Sequence, residues 1–386
     1  MEDITRITIQ LIGSEVCQTS VPLLSDGFLT ERKLVEILLL SRKHSLAHVV
    51  ASALLNNGLL DNSPQKDLFL RELYSAVYAQ EKTKLAFDRV CLMLEKMQVR
   101  FIPLKGAVIR DLYPQPWMRS SCDIDILINK TDLRSIVRML VERSDFQLKS
   151  ESKHDVVLIS EEGICLELHF SLIGDKKSSL YSDVLDSVWE SAVPVSDGSY
   201  RYRFSDEVFY YYHILHMAKH FRLGGCGIRP FLDLWLINHS ECFDFSEKDY
   251  LLNNGKLADF EKYAKKLSEV WFSGKDHDEV TLSMQNFIVD GGNFGTEKTR
   301  AFANTSRKGG KYKYLLSRLF VPYSYLKTEY RILEKYPMLT PIYEVCRIFS
   351  ILLGKKKKLK EKQFTVLNDT DMISSYSDSL FETLGL

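Results

Sequence analysis

The sequence predicts a small α/β or α+β unit set between N- and C-terminal helical regions. Three observations predict it. Apolar runs of helical character fill the first hundred residues, strand-length runs cluster between 100 and 195, and helical patterning returns from about 204. The expected division is 1–99, an N-terminal helical region; 100–195, a sheet-bearing core; and 196–386, a C-terminal helical domain.

Bulk properties narrow the classes. With 386 residues, 45% hydrophobic and 26% charged, the chain can bury a real core in two or three units. A formal net charge of zero gives no overall field toward nucleic acid or membrane. Long nucleic acid, whose phosphates demand several Lys or Arg contacts, is not an expected partner. The seven cysteines are scattered with no C-x-x-C pair, which reads as reduced cytosolic thiols. No leader-like start and no membrane-length apolar run is visible, so no membrane partner and a cytoplasmic location are expected.

In order, Leu34–Leu40 and His48–Leu55 read as helices, broken at Asn56-Asn57-Gly58 and Asn62-Ser63-Pro64. A long helix over Gln65–Met97 should follow, with an apolar stripe of Leu70, Leu73, Val77, Leu85, Phe87, Val90, Met93, Leu94 and Met97. Phe101–Leu104 is a strand broken by Lys105-Gly106. Ala107–Tyr113 is a short helix ended by Pro114 and Pro116, and Asp123–Ile128 is a second strand. Thr131 or Asp132 caps a helix carrying Ile136, Leu140 and Val141. Phe146–Ser150, His154–Ile159 and Ile164–Phe170 are strands, the last two joined at Glu161-Glu162-Gly163, and a helical piece is expected over Leu180–Trp189.

Chemistry concentrates between Lys105 and His169. Asp123 and Asp125 alternate on one strand and so share a face. Within about 4 Å, two carboxylates repel by roughly 4 kcal/mol at an effective dielectric near 20. Protonation, a salt bridge or a divalent cation relieves that, and Mg²⁺ takes oxygen ligands while sharing its shell with phosphates. Gly106 at a strand-to-helix turn lets backbone approach a ligand, and the new helix offers free N–H groups to an anion. Lys105 adds a point charge for phosphate, and Arg119 a forked contact or a salt bridge to one of the aspartates.

This arrangement resembles the nucleotidyltransferase superfamily, specifically its uncharacterised bacterial members. The matching residues are Leu104-Lys105-Gly106, Tyr113-Pro114, Arg119 and Asp123-Ile124-Asp125, with Ala107 where Ser or a second Gly is usual. The resemblance implies an α+β fold with a nucleotidyltransferase-like small mixed sheet and flanking helices, Mg²⁺ (or Mn²⁺) on the Asp-x-Asp pair, and NMP transfer from an NTP, ATP first among them. It also implies a third carboxylate on a later strand. Glu167 matches it, as metal ligand and as base or orienter of the acceptor hydroxyl, with His169 on the same face. The catalytic set is thus Asp123, Asp125 and Glu167. The rival expectation is a catalytically silent module that senses nucleotide or binds a partner protein.

Glu207–His220 should form one helix capped by Ser205 and stopped at Gly224-Gly225. His216, Lys219 and His220 on it either reach the nucleotide or acceptor or form an ordinary surface. Zinc is disfavoured without HExxH or an acidic third ligand. Arg229 either pairs with Asp233 one turn on or lines the cleft's far wall. The resemblance runs through this stretch, from about Leu68 to Trp235. Beyond Asn238 no chemistry is visible. Thr299–Lys313, rich in Arg, Lys and Gly, reads as a solvated loop, Pro341–Leu353 as a core helix with solvated lysines 355–358, and Thr365–Leu386 as a weakly ordered tail.

Overall fold

A computed structural model describes residues 2–21, 28–172, 183–307, 320–352 and 379–386. The chain opens with α1 (Glu2–Val16), α2 (Glu31–Lys43), α3 (Ala47–Asn56) and the long α4 (Lys66–Lys96). Thr30 caps α2 by accepting the Lys33 N–H, and Arg42 and Lys43 sit at its C-terminal end, where the helix dipole favours cations.

With 31 residues, α4 is about 46 Å long and links two cores. Phe69, near its start, joins the large helical core; Val90 and Leu94, near its end, join the core beneath the sheet. The apolar stripe read from sequence is buried at those last two positions and packs against the cores at Leu73, Phe87, Met93 and Met97, but Leu85 faces outward at 58% exposure. A helix this long contacts different partners at its two ends, so no single stripe describes it.

The core strands are β1 (Phe101–Pro103), β2 (Asp123–Ile128), β3 (Phe146–Glu151), β4 (Asp155–Ser160) and β5 (Cys165–His169). Their order is β1-β2-β5-β4-β3. β2 and β5 run parallel, and the other neighbouring pairs run antiparallel. This is the expected mixed sheet. Between β1 and β2 lies α5 (Gly106–Ile109), and α6 (Leu133–Arg143) covers the sheet with Leu133, Ile136 and Leu140. Neither Thr131 nor Asp132 makes a side-chain cap for α6; Asn129 accepts the Thr131 N–H instead and closes the turn ahead of it.

The lower half begins with α7 (Val188–Ser191), inside the helical piece expected over Leu180–Trp189, whose start lies outside the described residues. A two-strand ribbon follows, Val193–Pro194 with Tyr202–Arg203. Then come α8 (Asp206–Arg222), α9 (Arg229–Asn238), α10 (Lys248–Asn254), α11 (Ala258–Ser273), α12 (Glu279–Gly291) and α13 (Glu297–Arg307). Ser205 stands at the cap of α8, but its side chain makes no capping bond; Asp206 and Glu207 supply the first-turn charge. α1–α3 and α8–α12 share one apolar core. A Cβ on Gly225 would lie 2.0 Å from the Gly295 nitrogen, so glycine is what lets the α8–α9 loop meet the α12–α13 loop.

The C-terminal expectations fail where residues are described, which for the tail expected over Thr365–Leu386 means 379–386, the rest lying outside the described residues. Leu380, Phe381 and Leu384 are buried, and the Phe381 ring lies 5.5 Å from Phe221 and 5.7 Å from Phe287, so the chain's end is packed. The helix Thr340–Leu352 is not a plain core helix either. It exposes Ile342, Val345 and Phe349 and buries Arg347. The loop expected over Thr299–Lys313 is helical as far as it is described, because α13 runs on to Arg307; its remainder and Lys355–Lys358 lie outside the described residues. Among the described residues no helix is long and apolar enough to cross a membrane.

The α2–α3 junction sets a pH dependence. Burial lowers His44 to about 3 and His48 to about 4, from an ordinary 6.5. Both are neutral in the folded chain, and the unfolded chain protonates them first as pH falls. Stability is therefore full above 6.5 and lost toward pH 4, with a limiting slope of ~1.4 kcal/mol per pH unit for each histidine. Urea denaturation between pH 7 and 4.5 checks this: His48→Asn should flatten the slope, and an unchanged slope contradicts the assignment.

Candidate active site

The parallel pairing of β2 with β5 builds the site. Register sets Asp125 opposite Glu167, Asp123 opposite Cys165 and Leu127 opposite His169. Side chains alternate along each strand, so the acidic positions emerge on one face while Ile124, Ile126, Leu166 and Leu168 pack in the core. Ligand atoms of Asp125, Glu167 and His169 lie within 4.8 Å of one another. Asp123 sits one pleat away, outside that cluster, and accepts a hydrogen bond from Ser121 Oγ (3.0 Å). Asp123, Asp125, Gly106, Ala107 and Arg110 line a small cavity beside α4.

Asp125 is the hub. Lys105 Nζ lies 2.9 Å from its Oδ1, and His169 Nε2 donates to the same oxygen at 2.8 Å. Burial alone would raise the Asp125 carboxyl. The His169 hydrogen bond and the Lys105 charge prevail and hold it below the usual carboxylate range. Glu167 goes the other way: burial first, then repulsion from Asp125 and Asp123, raises it. Burial disfavours the Lys105 ammonium, but the Tyr212 oxygen and Asp125 outweigh that and keep it protonated. Lys105 also sits at φ 47°, ψ −113°, in the sparsely populated left-handed half of backbone space. A strained, charged residue bonded to the central carboxylate is the pattern of a functional turn.

Other expectations resolve differently. The helix after Gly106 has only four residues, and the Ala107 and Val108 N–H groups already bond the Leu104 and Lys105 carbonyls. Its dipole and free donors are therefore smaller than expected. Arg119 is drawn to a carboxylate outside the Asp-x-Asp strand. Its Nε spans both Asp233 oxygens (2.8 and 3.1 Å), and the Tyr113 hydroxyl donates to Asp233 Oδ1 at 2.6 Å. Arg229 does not pair with Asp233; its Nη1 donates to the Ser120 carbonyl (2.7 Å). His216 and His220 face each other on α8, and Lys219 is exposed.

Sequence reasoning missed Tyr212 and gave Asp233 the wrong partner. Asp233 had a signal: a lone aspartate inside Phe-Leu-Asp-Leu-Trp-Leu must be paired once that helix is buried. Tyr212 had none, because the tyrosines of Phe209–Tyr212 look alike until packing selects one.

Residues 30–273 match the family described as an uncharacterised nucleotidyltransferase. No curated protein matches the chain. Among solved structures, the crystal structure of an antigenic nucleotidyltransferase-like protein from Paracoccidioides brasiliensis is similar at 18% identity. It covers 53% of this chain and 97% of its own, with a TM-score of 0.32. The family match spans well over half the chain and includes every acidic residue of the β2–β5 edge, so the chain belongs to the uncharacterised nucleotidyltransferase family.

Proposed function

We propose that the protein transfers an NMP group from an NTP to a hydroxyl acceptor, a small molecule or a protein, with release of pyrophosphate. The observation that carries this is Asp125 in register with Glu167 across parallel strands, with His169 within 4.8 Å and Lys105 bonded to the shared carboxylate.

The donor set fits a divalent cation. Two carboxylates supply hard oxygens for Mg²⁺, and an imidazole beside them also admits Mn²⁺. Asp125, Glu167 and His169 would hold the ion, with Asp123 completing the acidic rim. Bound there, the ion supplies charge neutralisation to the phosphates and polarises a phosphoryl oxygen. Lys105, whose Nζ lies on the Asp125 carboxylate at the mouth of the turn, would bind a phosphate oxygen of the nucleotide. Glu167, with its raised carboxyl, accepts the proton of the acceptor hydroxyl. The hydroxyl oxygen bonds the α-phosphorus, the bond to the bridging oxygen breaks, and pyrophosphate leaves with that electron pair. ATP is the first nucleotide to try, and the cytoplasm the proposed setting.

One observation favours the rival reading of a silent nucleotide sensor: the Lys105 ammonium already pairs with Asp125, and His169 hydrogen-bonds the same oxygen. The discriminating experiment supplies each α-labelled NTP with Mg²⁺ or Mn²⁺ and a cell extract as the acceptor source. The expected result is label in one acceptor fraction, reduced about 10²-fold in Glu167→Gln. Nucleotide binding with no transfer under either metal would favour the sensor.

A further inference from the structure

Tyr212, His216 and His220 stand at four-residue intervals on α8 and so share a helix face. That face looks onto the site. Tyr212 lies in the field of Lys105, Asp125 and Glu167, and His216 and His220 in that of Lys105. The two imidazoles meet Nε2 to Nε2 at 3.2 Å, their ring centroids 4.4 Å apart. At that distance one ring donates and the other accepts, so the pair shares a single hydrogen.

The charged groups facing the pair are Lys105 from the turn after β1, Lys219 from α8 and Arg229 from the start of α9; His213 is the remaining titratable neighbour. Burial first, and this cationic field second, lowers both imidazoles, His220 to about 4. Arg229 contributes a further signal: its buried Nε has no hydrogen-bond partner among the described residues. Two neutral imidazoles lie in the field of three cations, one of which, Arg229, carries the unsatisfied donor. An anion is the ligand class that answers all of them at once. Its charge cancels the field that suppresses protonation, and its oxygens accept from Nε of Arg229 and from an imidazolium.

We propose that the His216–His220 pair, with Lys105, Lys219 and Arg229, forms a phosphate subsite that receives the pyrophosphate end of the nucleotide and takes up a proton as it binds. The nucleotide's identity rests on the nucleotidyl-transfer reading above; the binding of pyrophosphate itself does not. No covalent bond changes, and the proton comes from solvent.

The test is isothermal titration of inorganic pyrophosphate into the full-length protein at pH 7 in two buffers of different ionisation enthalpy. The His216→Asn/His220→Asn double variant runs alongside and reports the protons carried by pyrophosphate alone. The wild type should take up about one proton more than the double variant. Its affinity should fall up to tenfold per pH unit as pH rises, and the double variant should bind about tenfold more weakly. If the double variant melts early, His220→Gln alone carries the comparison. Equal proton uptake in wild type and variant, or no pyrophosphate binding by the wild type, overturns the subsite. Proton-linked binding without any transfer of label sinks the reaction and keeps the subsite. Transfer with an unchanged nucleotide KM in the double variant does the reverse.

Discussion

Asp125→Asn is expected to lower nucleotidyl transfer about 10³-fold or more. The substitution keeps the shape and removes the charge on which Lys105 and His169 converge. Cation-borne charge stabilisation of a phosphoryl transition state amounts to several kcal/mol, and each 1.36 kcal/mol is about a decade in rate. The same substitution acts on the fold. Removing one partner of a buried ion pair costs about 3–5 kcal/mol. Asp125 is buried but a quarter of the Lys105 side chain is exposed, so the loss here should be roughly 2 kcal/mol. Steady-state rates and urea denaturation separate the two effects. A variant that loses stability but keeps its rate would place Asp125 in the scaffold and outside the chemistry.

Asp233→Asn should give the largest stability loss, about 3–5 kcal/mol at pH 7. Asp233 is 1% exposed and accepts from Arg119 Nε and the Tyr113 hydroxyl. Without its charge, Arg119 is a buried cation with no carboxylate, and Arg229 stands close enough to repel it. Arg119→Met/Asp233→Leu, which removes both partners, should recover much of the loss, because the penalty belongs to the stranded charge. Equal losses in the single and double variants would show that packing, rather than charge, sets the cost. The clamp matters to the site because it ties the segment between α5 and β2 to α9. Gly106 packs against it: a Cβ there would come 3.2 Å from Arg119 Nη1.

What could be read from the sequence follows what each signal depends on. Alternation places Asp123 and Asp125 on one face without any tertiary knowledge, and Glu167 with His169 likewise. Which of them meet depends on the β2–β5 register, a non-local pairing that selects Asp125 with Glu167 and sets Asp123 a pleat aside. Lys105 was legible as a charged residue at a glycine turn; its bond to Asp125 was not, because turn geometry decides where the ammonium goes. Arg119 was misassigned since its partner, Asp233, is 114 residues away. The buried end of the chain was misread for the same reason. Its few apolar residues look weak alone and gain their order from the Phe221–Phe287–Phe302 cluster.

The central claim is that Asp125, Glu167 and His169 together hold a divalent ion at the point of phosphoryl transfer. Crystals grown with Mn²⁺ and a non-hydrolysable NTP analogue, measured for anomalous scattering, address it directly. The predicted result is one strong peak within coordination distance of Asp125 and Glu167, with α-phosphate density beside it and Lys105 moved onto a phosphate oxygen. An empty β2–β5 edge with nucleotide bound elsewhere, or a peak coordinated by none of these side chains, would contradict it.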